Sequence, residues 1–347
     1  MKKIFLIGLA ATAMLASCSN DETVEMAQSK AIGFSNAFVN NGTRSVNDPS
    51  FTNEKQNLED FAVYGFTQKG QIFDGTKVYK GGSASTGWSY DVLQYWVPGN
   101  TYTFGAIAPE GQKANVSDVA LADDKIGMKV AFTNTDENQV DLLHAAPAQI
   151  AGTEVTETYA TPVKMTFNHQ LSKVKFSFEN AVGEGYNVKV TDVKITNAYS
   201  KGTLTVGATN AWSEQAGNSL ALVFGNVVAD NATTDEAAVI VYDATLESYN
   251  EKLMIPMGNT AEYTVTFTAE LLQGEVSMGT FKHTTAIKNV EFELGYCYDF
   301  KATLTHENIV DPDNPLKPIE FTVDDITDWN KEDLDQTLEI PATQTQE

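Results

Sequence analysis

An alternation of apolar and polar residues over 163–178 constrains the fold of this chain more than any other feature. Its apolar members are Val163, Met165, Phe167, Leu171, Val174, Phe176 and Phe178. A period of two places such residues on one face of a β-strand. The pattern is offset once, at Ser172 and Lys173, which is typical of a β-bulge. These residues therefore predict strands with one buried face.

Similar short runs rich in Val, Ile, Phe, Tyr and Thr recur from residue 31 to residue 329, separated by Gly, Asn, Asp and Pro. Their spacing of roughly 8 to 15 residues is typical of β-sandwiches. Helical spacing is scarce, and only residues 116–121 and 142–146 suggest a single turn of helix. The chain is predicted to be all-β, with two β-sandwiches in tandem.

The 347 residues are enough for two domains that each bury a core. A Thr- and Glu-rich stretch over residues 151–162 suggests the boundary between them. We predict an N-terminal sandwich over residues 31–160 and a C-terminal sandwich over 161–329. Residues 330–347 are polar with a few apolar side chains, so they are either a frayed tail or a segment that inserts into another molecule.

The N-terminus has the form of a secretory signal. Lys2 and Lys3 precede an apolar run over residues 4–16, which is too short to span a bilayer. The sequence LASC that ends at Cys18 resembles a bacterial lipoprotein box. We predict a signal peptide over residues 1–17 and lipidation of Cys18, which anchors the protein at the outer membrane. Residues 18–30 are predicted to be a polar tether. The alternative is an ordinary signal peptide cut after Ala16 or Ser17.

Composition excludes several classes of protein. A net charge of −23 without Lys/Arg clusters argues against a nucleic-acid partner. Hydrophobic content of 42% excludes a wholly disordered chain. If Cys18 is lipidated, Cys297 has no intrachain disulfide partner. Its place in an alternating aromatic stretch predicts a buried core thiol and not a nucleophile.

The sequence contains no recognisable catalytic motif. Its four histidines are scattered without H-x-x-x-H spacing, and there is no G-x-S-x-G elbow or Gly-rich phosphate loop. We therefore predict neither an enzyme nor a bound metal or cofactor. Trp88, Tyr90, Tyr95 and Trp96 form an aromatic cluster that belongs either to the core or to an exposed surface that stacks on sugar rings.

Arg44 is the single arginine among 23 basic residues. It lies in the turn-rich sequence NNGTRSVNDP, directly after a predicted strand that places Ile32, Phe34 and Phe38 on one face. An exposed basic residue in such a loop is a candidate site of proteolysis, with cleavage between Arg44 and Ser45. A composition that favours lysine is the alternative explanation.

Several stretches, taken in order, resemble fimbrillin-like proteins of the Bacteroidetes. They are the lipobox at Cys18, the Ile32 and Phe34 strand, FAVYG at 61–65, WSY at 88–90, YW at 95–96, YTFGA at 102–106, DLL at 141–143, FNHQLSKVKF at 167–176, and GY at 295–296 ahead of Phe321 and Trp329. The resemblance implies a type V pilus subunit with two transthyretin-like β-sandwich domains and no catalytic activity.

The resemblance also implies a route of assembly. A lipoprotein precursor reaches the cell surface, a protease cuts after Arg44, and the released strand with Ile32, Phe34 and Phe38 leaves a groove. The C-terminal strand of another subunit fills that groove. In this chain the expected donor residues are Leu334, Leu338 and Ile340.

The partners implied by this route are copies of the same chain or other fimbrial subunits. The resulting fimbrium supports adhesion to an unidentified host or bacterial surface ligand. The alternatives are a surface glycan-binding lipoprotein and a tip or anchor component that does not polymerise.

Overall fold

The structure is a computed structural model that describes residues 31–39, 58–81, 87–137, 139–224, 238–241, 246–248, 251–256, 262–312 and 318–328. For residues 36–39, 238–241, 246–248 and 324–328 it describes the main chain alone. No helix within these ranges is long and apolar enough to span a bilayer.

Nearly all regular structure in the described residues is β-strand. The strands are β1 (Phe34–Val39), β2 (Asp60–Thr67), β3 (Gly70–Lys80), β4 (Trp88–Ser89), β5 (Tyr102–Ala108), β6 (Val116–Ala122), β7 (Lys125–Thr133), β8 (Leu143–Ala145), β9 (Val163–His169), β10 (Ser172–Asn180), β11 (Tyr186–Ala198), β12 (Lys201–Val206), β13 (Ala211–Ala216), β14 (Leu220–Val223), β15 (Ala238–Val241), β16 (Leu246–Ser248), β17 (Lys252–Met254), β18 (Tyr263–Gln273), β19 (Val276–Ile287), β20 (Tyr296–Leu304) and β21 (Phe321–Asp328). A 3-10 helix covers Glu110–Asn115, and a short α-helix, α1, covers His306–Val310.

The strands form four sheets. The first has seven strands in the order β1-β9-β8-β5-β2-β3-β4, and the second has four in the order β13-β12-β7-β6. The third follows β16-β10-β20-β21, with β17 also paired to β10. The fourth follows β14-β11-β18-β19, with β15 also paired to β11. This architecture confirms the predicted all-β sandwich fold.

Three apolar cores lie on the faces of these sheets. One occupies a face of the seven-stranded sheet and includes Phe34, Phe61 and Phe167. A second brings together residues of the seven- and four-stranded sheets, among them Tyr64 and Val130. Every residue of β5 is therefore buried, because both faces of its sheet are covered. The third core combines residues of the two remaining sheets.

The offset at Ser172 and Lys173 marks the passage of the chain from one core to another. Phe167 belongs to the core that contains Phe34, Leu171 belongs to the core shared with the four-stranded sheet, and Val174 belongs to the core of the second pair of sheets. The predicted bulge is therefore wrong: β9 ends at His169 and β10 begins at Ser172 in a different sheet.

The main-chain and side-chain polar groups of Gln170, within this passage, are all hydrogen-bonded. Its backbone N donates to the Leu142 carbonyl at 2.9 Å, and its carbonyl accepts from Trp212 Nε1 at 2.7 Å. Its side-chain Oε1 accepts from Asn210 Nδ2, and its Nε2 donates to the Asn168 carbonyl, both at 2.8 Å. This bonding fixes the passage as part of the packed interior.

The predicted domain boundary between residues 160 and 161 stays a prediction, and strand pairing crosses it. β9 pairs with β1 and β8, so residues 163–169 lie in a sheet built mainly from strands that precede the boundary. β12 pairs with β7 over six residue positions. The first pair of sheets thus draws residues from both sides of the proposed division.

The two predicted helical turns are wrong. Residues 116–121 lie in β6 and residues 142–146 surround β8. In β6, Val116 and Val119 lie three apart because the pairing with β7 shifts register between Ser117 and Ala120, and Asp118 has a φ of 54°. In β8, Leu143, His144 and Ala145 are all buried, which removes the period of two.

Candidate functional site

The predicted first strand lies at the edge of the seven-stranded sheet. β1 pairs in parallel with β9, with Phe34 opposite Val163 and Val39 opposite Phe167. The register shifts between Ser35 and Phe38, so the pairing is not continuous along the strand. In the described part of the chain, β9 is the one strand that pairs with β1.

The segment just before β1 is held from both sides. Ala31 forms an antiparallel bridge with Tyr95, and the Ile32 backbone N donates to the Gln94 carbonyl at 2.8 Å. Across the segment, the Val163 N donates to the Gly33 carbonyl at 2.7 Å. Residues 31–34 therefore separate the 94–95 segment from β9.

Phe34 lies at the centre of an aromatic cluster. Its side chain is fully buried, and its ring makes edge contacts with those of Phe61, Phe73, Tyr90 and Phe104 at centroid distances of 6.0, 5.7, 5.7 and 6.1 Å. Such geometry is favourable for aromatic pairs beyond the burial of their area. Withdrawing Phe34 would leave a ring-sized space bordered by these four side chains.

Tyr90 connects this cluster to the backbone of the first segment. Its hydroxyl donates to the Ile32 carbonyl at 2.7 Å and accepts from the Gln94 N at 3.2 Å. Burial raises the pKa of Tyr90 above its ordinary value, so the phenol keeps its proton at neutral pH. The sequence placed Tyr90 in an aromatic cluster but gave no signal for this contact, because residues 32 and 90 are distant in the chain.

The four aromatic residues that the sequence grouped together, Trp88, Tyr90, Tyr95 and Trp96, lie mostly in the core. Trp88, Tyr90 and Trp96 are buried, and Trp96 packs edge-on against Tyr102 at 4.7 Å. Tyr95 is the exception, with 42% of its surface exposed. A sugar-stacking surface built from all four rings is excluded by this burial, and the core interpretation is confirmed for three of them.

A family model described as fimbrillin-like matches residues 43–329, which is most of the chain. The chain belongs to the fimbrillin-like family. The match begins one residue before Arg44. A comparison with curated proteins finds no match.

A solved structure shares the fold of this fimbrillin-like chain. A fimbrial protein from Bacteroides vulgatus aligns with a TM-score of 0.56 at 14% identity, covering 86% of this chain and 99% of that one. Putative cell adhesion proteins from Bacteroides uniformis and Bacteroides ovatus align with TM-scores of 0.45 and 0.46 at 16% and 15% identity. These two alignments cover 86% and 88% of this chain and 97% and 99% of the others.

Membership of the fimbrillin-like family supports a fimbrial adhesion subunit at the cell surface. It also supports a structural role and interaction with other fimbrial subunits.

Cys297 does not lie in the core of this fimbrillin-like chain, contrary to the prediction. Tyr298 and Phe300 point into the core, so Cys297 takes the other face of β20, half-buried, with its sulfur 3.9 Å from Glu251 Oε1. Burial first, and then the Glu251 carboxylate, raise the pKa of Cys297 to about 12. The thiol stays protonated at neutral pH and is a poor nucleophile.

The histidines occupy separate sites. His169 Nδ1 lies 2.8 Å from Asp141 Oδ2 near the passage between sheets, and the His283 ring stacks on Phe267 at 5.0 Å. Burial lowers the pKa of His144 and of His283 to about 4. Within the described ranges, no group of three or more His, Cys, Asp or Glu residues is placed to hold a metal ion.

Of the predicted site residues, the structure brings together Ile32 and Phe34, whose side chains share one core. Phe38 lies in β1, opposite Thr166, and its side chain is not described. The remaining predicted site residues lie outside the described residues: Cys18, Arg44, Ser45, Leu334, Leu338 and Ile340.

Proposed function

We propose that this fimbrillin-like chain is a structural pilin that polymerises by donor-strand exchange after proteolytic release of its first strand. The observation that carries the proposal is the placement of residues 31–39. They form an edge segment whose buried side chains lie in an aromatic cluster. The described backbone of this segment is paired with β9 on one side and is bonded to the 94–95 segment and to the Tyr90 hydroxyl.

Release of β1 costs less free energy when another strand takes its place than when its groove stays empty. Releasing it exposes the sites of Ile32 and Phe34, each worth about 1.5–3 kcal/mol when fully buried. It also leaves backbone groups along β9 without partners, which is costly where they stay shielded from water. An incoming strand with alternating apolar residues restores both contributions, as in other cases of strand addition.

Arg44 is the proposed cut site, with Ser45 as the new N-terminus. Arg44 follows the end of β1 by five residues, so cleavage there would separate the strand from the rest of the chain. The turn-forming sequence around it favours protease access.

The proposed donor strand lies in residues 330–347 of another subunit. Leu338 and Ile340 are two apart and Leu334 precedes Leu338 by four, so all three fall on one face of an extended strand. That face would enter the groove left by Ile32, Phe34 and Phe38. Before processing, lipidation of Cys18 after removal of residues 1–17 would hold the precursor at the outer membrane.

The deciding experiment is N-terminal sequencing of fibres extracted from cells that express the wild-type chain or Arg44→Ala. The proposal expects Ser45 at the N-terminus of wild-type fibres and no fibres from Arg44→Ala. Lys69→Ala is a matched control, because Lys69 lies in the exposed turn between β2 and β3, and it should polymerise normally. An N-terminus at Cys18 in assembled fibres would falsify release of the strand.

Deletion of residues 330–347 tests the donor assignment separately. The expected product is a processed subunit, with Ser45 at its N-terminus, that does not form ladders on gels. Normal fibres from the deleted chain would remove these residues as the donor. A chain that is processed neither at Arg44 nor elsewhere, and stays monomeric, would instead support a glycan-binding lipoprotein or a tip or anchor component.

A further inference from the structure

A cleft of about 730 Å³ lies on the side of β9 that faces away from Phe34. Lys164, Thr166 and Asn168 line it from β9. It is bordered by Lys125 at the start of β7 and by Asn210, next to the turn between β12 and β13. We refer to this space as the β9 cleft. Its volume falls in the range of small-molecule binding sites.

The period of β9 explains its lining. Val163, Met165 and Phe167 point into the core, so the residues between them point to the opposite face. β8 ends at Ala145, and the following residues, including Pro147, form another wall of the cleft and do not pair with β9.

The charge of the cleft is opposite to that of the chain. Acidic residues outnumber basic ones by 46 to 23, yet the lining contains Lys125 and Lys164 and no carboxylate. Neither lysine forms an ion pair with another described residue. The adjacent Asp124 accepts a hydrogen bond from Gln149 Nε2 at 2.9 Å. A concave site of one sign concentrates ligands of the opposite charge.

Fixed polar groups line the cleft beside β9, and one of them, His144, belongs to the neighbouring strand β8. Asn210 Nδ2 donates to Gln170 Oε1 at 2.8 Å and lies 3.2 Å from His144 Nδ1. His144 is buried, and the low pKa that burial causes leaves its ring neutral at pH 7. The positive charge of the cleft therefore comes from the two lysines, while Asn210 is held in one orientation.

The remaining polar groups suit hydroxyl ligands. The hydroxyls of Thr166 and Thr209 form no side-chain hydrogen bond with other described residues, and a hydroxyl both donates and accepts. A simple inorganic anion would engage the lysines and leave most of the cleft to water. A sugar acid carries a carboxylate for the lysines and several hydroxyls for the two threonines.

We propose that the β9 cleft binds a carboxylated sugar, with the carboxylate between Lys125 and Lys164 and the sugar hydroxyls along the outer face of β9. This site differs from the groove that β1 fills, because Lys164 and Thr166 alternate along β9 with the side chains that pack in the core with Phe34. The proposal goes beyond strand exchange and does not depend on it.

The test is an NMR titration of the full chain with D-glucuronate, with D-glucose and sodium acetate as comparison ligands. D-glucuronate should shift the amide signals of residues 164–168 and 207–210 in a saturable way. D-glucose and acetate should each bind at least about tenfold more weakly, because each lacks one set of hydrogen bonds to the site. Equal binding of acetate would reduce the site to an anion site and overturn the sugar assignment, and equal binding of D-glucose would overturn the role of the lysines.

Charge variants complete the test. Lys125→Gln and Lys164→Gln should each weaken D-glucuronate binding by about tenfold, since a hydrogen bond to a charged group is lost. Lys282→Gln is the matched control, because Lys282 is an exposed lysine of β19 outside the cleft, and it should bind as the wild type does. Shifts confined to other residues, or equal affinity in all three variants, would overturn the proposal.

Discussion

The two described edge strands nearest the ends of the chain, β1 and β21, are attached in different ways. β1 pairs in parallel with β9 over four positions and places fully buried Phe34 in an aromatic cluster. β21 pairs antiparallel with β20 over seven positions, and its Phe321 is half-buried while Thr322 and Val323 are exposed. Among the side chains that the structure describes, Phe34 of β1 lies within the core, whereas those of β21 are half-buried or exposed. An edge strand that fills a core leaves a specific vacancy when it is withdrawn, whereas an edge strand that extends a ladder does not.

The largest effect is expected from Phe34→Ala. Truncation of a buried phenylalanine costs about 3–5 kcal/mol, because a cavity remains where four rings met the lost side chain. Urea denaturation of the uncleaved chain, followed by tryptophan fluorescence, measures this loss. The difference between the two edges is refuted if Phe34→Ala destabilises the protein no more than Phe321→Ala does.

Low pH should lower the free energy of unfolding through two buried histidines, His144 in β8 and His283 in β19. Burial lowers both pKa values to about 4, whereas the unfolded state titrates near 6.5. The unfolded chain therefore binds more protons between these values, so stability is complete above pH 6.5 and is lost as pH falls towards 4. For His144 the loss is about 3 kcal/mol.

Urea unfolding of wild type, His144→Gln and His283→Gln at pH 7.5, 5.5 and 4 measures this dependence. Each substitution should make the free energy of unfolding depend less on pH, because each removes one group that gains a proton on unfolding. The difference between variant and wild-type curves isolates the histidine from the many carboxylates. A variant curve parallel to that of the wild type would contradict the assigned group.

Phe321→Ala should have a smaller effect, roughly 1–2 kcal/mol, since a half-buried ring gains about half of the full burial energy. Its ring contacts Phe176, Phe178 and Phe267 at centroid distances of 5.0, 5.7 and 6.1 Å. The same denaturation measurement applies. A loss above that of Phe34→Ala would reverse the order of the two edges.

The smallest effect is expected from Tyr90→Phe, which removes the hydroxyl that bonds to the Ile32 carbonyl and leaves the ring in place. Loss of such hydrogen bonds costs about 0.5–1.5 kcal/mol. Limited proteolysis of the uncleaved chain should show faster cutting near β1, and global unfolding should change little. Unchanged proteolysis would mean that Tyr90 does not hold the first segment.

Much of the strand content was predictable from the sequence, because apolar and polar residues alternate along most of β9, β10 and β20. β6 was not, since a bulge places Val116 and Val119 three apart. β8 was not, since burial on both faces removes the alternation. The switch of cores at residues 170–172 appears in sequence as an offset, which is also what a bulge produces.

At the candidate site, sequence predicted the shared face of Ile32 and Phe34 but not their surroundings. Phe34 meets β9 across more than a hundred residues, and Tyr90 meets Ile32 across 58. Such pairings depend on the packing of the whole sheet, and period and propensity carry no information about them. The β9 cleft was missed for the same reason, because Lys125 and Lys164 line one cleft only as a result of the fold.

The passage at Gln170 has a mechanical consequence. β9 and β10 are separated by two residues, so tension applied to β9 reaches β10 along the covalent chain with almost no slack. β10 pairs in parallel with β20 over eight positions, so a pull along its length loads those hydrogen bonds in shear, together and not one after another. A strand seated beside β9 would thus transmit force directly into the second pair of sheets.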